Sequence, residues 1–197
     1  LGATAEAANG SILQVSTAEF PHKWAVMFLV AVGFWNFLGA GVFGFLINLP
    51  IVSYYEIGTQ FTANHAHGAM MGVYGMLAVA FLMFVARYFI PPHRGGRAMA
   101  LSFWSLNIGL LLMLFINLAP IGTLQLYDAV ANGYWHAREP EFFQSGTVHL
   151  FEWLRIVGDT LFIVGGIFPV VYLAILMFLY RNRGERPTDG VAEEFTA

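Results

Sequence analysis

FTANHAHGAMMGVYGMLAVAFLMFVARYFI, residues 61–90, is the stretch on which the fold turns. Its only Lys, Arg, Asp or Glu is Arg87, close to its end, and it exceeds the ~20 predominantly apolar residues that cross a hydrocarbon core. Three other segments read the same way: Trp24–Leu49, Met99–Ala119 and Thr147–Tyr180. Proline and glycine punctuate them. Pro21 opens the first, Pro50 closes it, Pro91 and Pro92 end the second, and Pro120 ends the third, while Pro169 after Gly165 and Gly166 is expected to kink the fourth. The chain is therefore expected to be an all-α membrane protein of four transmembrane helices. Residues 1–23 read as a linker or loop, residues 24–181 as the membrane bundle, and residues 182–197 as a polar tail.

Composition agrees. Of 197 residues, 58% are hydrophobic and only 11% charged, where a soluble domain carries about 25%. Nine Lys and Arg against twelve Asp and Glu leave a net charge of −3 and no basic patch, which argues against a nucleic-acid partner. With no cysteine there is no disulfide, thiolate zinc site, iron–sulfur cluster or nucleophilic thiol, so six histidines and the carboxylates hold nearly all the available chemistry. Residue 1 is Leu and no short basic-then-apolar leader precedes the first span, so the chain is expected to continue an upstream segment.

Orientation follows from the basic residues. Lys23, Arg87, Arg94, Arg97, Arg181, Arg183 and Arg186 fall on one side of the membrane; the opposite connections hold Arg138 with Glu56, Asp128, Glu139 and Glu141. The positive-inside rule makes the first side, and with it the C-terminus, cytoplasmic.

His65 and His67 ask for an explanation, because polar groups inside a membrane are costly and tend to have a purpose. At roughly 100° per residue they point about 200° apart with about 3 Å of rise between them, so they cannot share one metal. They can serve two separate partners at one depth, and neutral imidazole is a good ligand for iron and copper. Gly68, Ala69 and Gly72 on the His65 face would let a macrocycle approach; Ala63, Met70, Met71 and Tyr74 lie on the His67 face. The competing reading is a pair of histidines hydrogen-bonded to neighbouring helices. His22, His93, His136 and His149 belong to connections or helix ends.

A second constellation lies on the fourth segment, where His149, Glu152, Ile156 and Asp159 follow steps of three, four and three along one stripe. Arg155 beside them can pair with Glu152 or Asp159. This is either an interfacial ion pair or a site in which a carboxylate accepts the proton of a bound hydroxyl and Trp153 covers its ring. Asp159, Glu152 and His149 are the groups on that stripe able to take a proton, and Arg155 is suited to a carboxylate. Ser102, Ser105, Asn107 and Asn117 of the third segment read as packing residues.

Asn64-His65-Ala66-His67-Gly68-Ala69, followed by Gly72-Val73-Tyr74-Gly75, resembles the helix of the haem–copper oxidase superfamily that places two histidines between two haems. Phe34-Trp35-Asn36-Phe37-Leu38-Gly39-Ala40-Gly41-Val42-Phe43-Gly44-Phe45, then Leu49-Pro50, Tyr54-Tyr55 and Gly58-Thr59, is similar to the nitric oxide reductase branch. Glu152-Trp153-Leu154-Arg155 with Gly158-Asp159 resembles its quinol-dependent, single-subunit type; the resemblance covers about residues 20–181. It implies a quinol site on this stripe, with Asp159 the leading candidate, Glu152 and His149 behind it and Trp153 over the ring, while Arg155 could instead hold a haem propionate. It implies that the four helices are the last four of a larger haem–copper oxidase-like bundle in a bacterial inner membrane. It also implies that His65 is the proximal ligand of the high-spin haem b3 and His67 an axial ligand of the low-spin haem b. The implied reaction joins two nitric oxide molecules, two electrons from quinol and two protons to give nitrous oxide and water. The implied non-haem iron, its three histidines and glutamate, and the second axial ligand of haem b would lie on upstream helices of the same subunit. The alternatives are an oxygen reductase or nitric oxide dismutase of the same superfamily, a non-catalytic b-type cytochrome anchor, and a haem-free transporter or channel.

Overall fold

In the computed structural model, residues 22–91 and 94–181 are described. The expected linker up to residue 21, the tail from residue 182, and Pro21, Pro92, His93, Arg183 and Arg186 lie outside them. Four helices are long and apolar enough to cross a membrane: α1 (Lys23–Ile47), α3 (Gln60–Ala86), α4 (Gly96–Asn132) and α6 (Gly146–Arg181). Two short helices, α2 (Pro50–Glu56) and α5 (Pro140–Gln144), and a 3₁₀ turn, His136–Arg138, lie in the connections. Among the described residues there is no strand.

The local reasons are visible. Pro50 occupies the first turn of α2, where its missing N–H would have been unpartnered anyway. Thr59 caps α3, its hydroxyl accepting from Phe61 N at 3.3 Å. Gly95, with φ of 76°, turns the chain into α4 in a conformation that a side chain rarely adopts.

Two expectations change. Pro120 is a stop signal for the third helix, yet α4 runs through it to Asn132. A π-helical stretch, Met113–Leu118, immediately precedes the α-helical segment Ala119–Asn132 that has Pro120 in its first turn. The wider turn shifts the hydrogen-bond register just where the proline ring would strike the carbonyl one turn back, so the rod continues. The interruption expected around Pro169 takes the same form, a π stretch at Leu161–Ile167 before Phe168–Arg181. The other spans carry one each, Asn36–Val42 in α1 and Gly68–Gly75 in α3.

Helix α4 is the centre of the bundle: half of its most apolar window is buried, against 22%, 28% and 22% in α1, α3 and α6. Its Met99, Leu106, Leu110 and Leu114 join Phe28 and Trp35 of α1 and Met76 and Met83 of α3 in one core. The polar residues of α4 bond across helices, as groups sealed from water must. Trp35 Nε1 donates to Asn107 Oδ1 at 2.9 Å, Ser102 Oγ to the Gly166 carbonyl at 3.0 Å, and Asn117 Nδ2 to the Phe151 carbonyl at 2.8 Å.

Close approach sets the α1–α3 crossing. A Cβ on Gly39 would lie 2.6 Å from the Gly68 backbone, and one on Gly72 would lie 2.6 Å from the Trp35 ring. Gly68 and Gly72 are thus the points at which α3 touches α1, Gly68 against Gly39 and Gly72 against the Trp35 ring. Small residues let backbones touch where no hydrophobic force distinguishes helix from lipid, and here that use prevails.

Both ends are chemically distinct. The start of α1, the end of α3, the loop after it and the end of α6 gather at one end, where the His22 ring stacks 4.6 Å from Phe84 and Arg94 sits 5.9 Å over the Tyr180 ring. Burial, helped by nearby Arg87, holds His22 below the ordinary histidine range. At the opposite end Tyr54 and Tyr134 meet at 5.8 Å, and Arg138 lies 3.6 Å over the Tyr134 ring while donating to the carbonyls of Tyr55 and Ile57.

Candidate haem-ligand site

His65 and His67 close the α-helical first part of α3, and the π stretch Gly68–Gly75 begins at the next residue. Such turns recur at functional sites because they re-aim the side chains around them. His65 turns toward α1: its Nδ1 lies 2.8 Å from the Gly39 carbonyl, and a Cβ at Gly44 would stand 2.8 Å from its Cε1. Gly44 is therefore the space that the imidazole occupies. His67 turns the other way. Its Nδ1 lies 2.8 Å from the Ala63 carbonyl of its own helix, and its Nε2 faces α6, 3.5 Å from Arg155 Nη2.

A carbonyl oxygen can only accept, so in each neutral imidazole the proton sits on Nδ1 and the lone pair is left on Nε2. That is the arrangement of a histidine prepared as a metal ligand, with the second ring nitrogen anchored and the tautomer fixed. The opposite faces beside the two rings differ. The Nδ1 edge of His65 lies against Gly39 and Gly44 of α1, whereas Met70 and Tyr74 beside His67 are 62% and 64% exposed; both imidazoles are half-buried.

Helix α6 carries the remaining candidates. Arg155 Nε donates to Asp159 Oδ2 at 2.9 Å, which resolves its choice of carboxylate in favour of Asp159, and Asp159 Oδ1 is buried without a hydrogen-bond partner. Glu152 approaches His149 instead, at 3.8 Å. Trp153 Nε1 donates to His149 Nε2 at 2.9 Å, and the indole is 60% exposed. The structure thus joins His67, Arg155 and Asp159 in one chain of contacts and leaves His149, Glu152 and Trp153 as a separate group a turn or two away. At the far end His136 Nδ1 pairs with Asp128 Oδ2 at 2.7 Å, and that hydrogen bond raises His136 above the usual histidine range. Among the described residues no group of three or more His, Cys, Asp or Glu could hold a metal ion.

A family model described as Cytochrome C and Quinol oxidase polypeptide I matches residues 10–161. The chain belongs to this family. It is also similar to a nitric oxide reductase subunit of Stutzerimonas stutzeri, 29% identical over 175 residues that make up 86% of this chain and 35% of that protein. The chain thus spans about a third of the length of that relative. Polypeptide I proteins carry haem and metal cofactors, and this pair of histidines suits such a group, with each Nδ1 tied to a carbonyl and each Nε2 bearing the lone pair. The Gly39 carbonyl and Gly44 are neighbours of His65 that sequence alone does not single out. Nothing local marks them, since their meaning depends on which helix crosses α3 at His65.

Proposed function

We propose that this chain is the C-terminal part of the catalytic subunit of a quinol-oxidising nitric oxide reductase, which turns two nitric oxide molecules, two electrons and two protons into nitrous oxide and water. The observation that supports it best is the pair of imidazoles two residues apart, each anchored through Nδ1 and directed to a different neighbour. In this reading His67 holds the low-spin haem b and His65 the high-spin haem b3, while non-haem iron is held by upstream helices of the subunit. The haems and iron supply electron transfer and the site of nitric oxide reduction. The similarity to the Stutzerimonas stutzeri nitric oxide reductase chain favours this chemistry over oxygen reduction.

The chain's own residues have definite tasks. The Gly39 and Ala63 carbonyls hold the two rings against rotation. Asp159 holds Arg155 through one oxygen and offers the other, buried and unpartnered, to the hydroxyl of a quinol. Arg155, held by Asp159 beside the His67 ring, is suited to a carboxylate of the cofactor, and exposed Trp153 to covering the quinol ring. The basic end faces the cytoplasm of a bacterial cell, with the bilayer around the four spans.

The assembled subunit tests this directly. Dithionite reduction should give haem b absorption bands, carbon monoxide should perturb only part of them, and quinol with nitric oxide should yield nitrous oxide. Membranes without haem b bands, or bands wholly insensitive to carbon monoxide, would rule it out.

A further inference from the structure

Glu56 lies outside both groups of candidate site residues, and it is an unusual acid. It ends α2, the short helix between α1 and α3, and is only 6% exposed. Its backbone is fully engaged: the Glu56 carbonyl accepts from Thr59 Oγ1 at 2.7 Å and Thr62 Oγ1 at 3.0 Å. Its side chain is not, since Oε2 is buried without any hydrogen-bond partner. Burial pushes this carboxyl above the ordinary glutamate range.

The groups on the elements around it are occupied elsewhere. On α4, Asp128 is taken by His136 and by Asn132 Nδ2 at 2.8 Å, and Tyr127 is exposed to the surroundings. Arg138 directs its guanidinium to the carbonyl of Tyr134 and to those of Tyr55 and Ile57, which flank Glu56 in sequence, and not to the Glu56 carboxyl. The end of α1, Phe43–Ile47, has no titratable residue, and the first turns of α3 have only His65 and His67, each with Nδ1 on a carbonyl. A buried carboxylate oxygen without a partner is disfavoured, so this environment favours the acid form more than water does.

Position gives that acid a use. The α2 turn joins the two helices that enclose the His65 ring, and His65 lies five residues, about 8 Å of helix rise, below the start of α3. We infer that Glu56 is a proton relay at the acidic end of the bundle, releasing one proton toward the His65 side and recovering one from the outer solution, with Arg138 holding the loop closed over it. The inference rests on the proposed reductase reading, which consumes two protons per nitrous oxide formed. The step is balanced: the carboxyl gives up one proton inward, becomes a carboxylate transiently, and is reprotonated from outside without net change.

The test uses the assembled, haem-loaded subunit and its Glu56→Gln variant. Haem and carbon monoxide spectra report assembly, an indicator dye reports proton uptake after nitric oxide is mixed with reduced protein, and infrared spectroscopy reports neutral carboxyl groups. The expected result is intact spectra, loss of one deuterium-sensitive carboxylic-acid band, and proton uptake and turnover both slowed at least about tenfold. Glu56→Asp should restore much of the rate. Should Glu56→Gln fail to take up haem, Glu56→Asp carries the test, with slowed uptake and a displaced acid band expected against intact spectra. Unchanged uptake in an assembled variant, or no neutral acid band assignable to Glu56, would overturn the relay while leaving the reductase reading standing. A wild-type subunit that consumes no nitric oxide would overturn both.

Discussion

His67 and Asp159 are joined through a single guanidinium, so truncating either has separable consequences. His67→Ala should abolish incorporation of the low-spin haem while carbon monoxide still binds; His65→Ala should remove carbon monoxide reactivity and spare the low-spin bands. Reduced and carbon monoxide difference spectra check both, and wild-type spectra in both variants would refute the ligand assignment. Asp159→Ala removes the partner of Arg155 and the unpaired Oδ1 together. Turnover with quinol should fall by about a hundredfold or more, the range of a lost proton acceptor, and much less with an artificial donor that bypasses the site. Equal losses would make Asp159 a structural residue. At this scale the sequence is most informative about identity, since two histidines at i and i+2 in an apolar rod can hardly face the same way. What it does not supply is the anchor of each ring. Gly39 lies 26 positions from His65, and only the crossing of α1 over α3 makes its carbonyl a partner.

Among the helices, the α1–α3 crossing is the feature most open to challenge. A Cβ on Gly68 would stand 2.7 Å from Gly39 Cα, where neither backbone can yield cheaply. Gly68→Ala should destabilise the bundle by about 1–3 kcal/mol, as overpacking does. It should also displace the Gly39 carbonyl from His65, so thermal unfolding in detergent and the carbon monoxide difference spectrum should change together. A normal spectrum with normal unfolding would mean that the two helices are free to part. The existence of four spans is legible from hydropathy, and α1, α3 and α6 end close to their expected limits. The end of α4 is not legible, because Pro120 is a stop signal for an α-helix and becomes compatible with continuation only after a π stretch that no residue pattern announces. The role of Gly68 and Gly72 is hidden for a related reason: small side chains admit a cofactor or another helix equally well, and only the neighbour decides.

For the molecule as a whole, the separation of a basic from an acidic end makes topology measurable. The chain has no cysteine, so single thiols can be introduced without background. Ser145→Cys, in the exposed turn before α6, should react with a membrane-impermeant maleimide in intact cells, and Arg94→Cys only after the membrane is opened; the reverse pattern would invert the proposed orientation. The acidic end also responds to pH. The pairing of His136 with Asp128 raises the histidine, so its contribution to folding is complete below the ordinary histidine value and fades as pH rises through the raised one. Finally, every span contains a π stretch. Each of these acts as a phase slip: one surplus residue rotates everything after it by about 100° relative to an uninterrupted rod. The halves of α3 are therefore indexed independently. Residues above the slip can be aimed to suit two imidazoles, and those below it can be aimed to suit lipid and α4, with neither constraint propagating into the other.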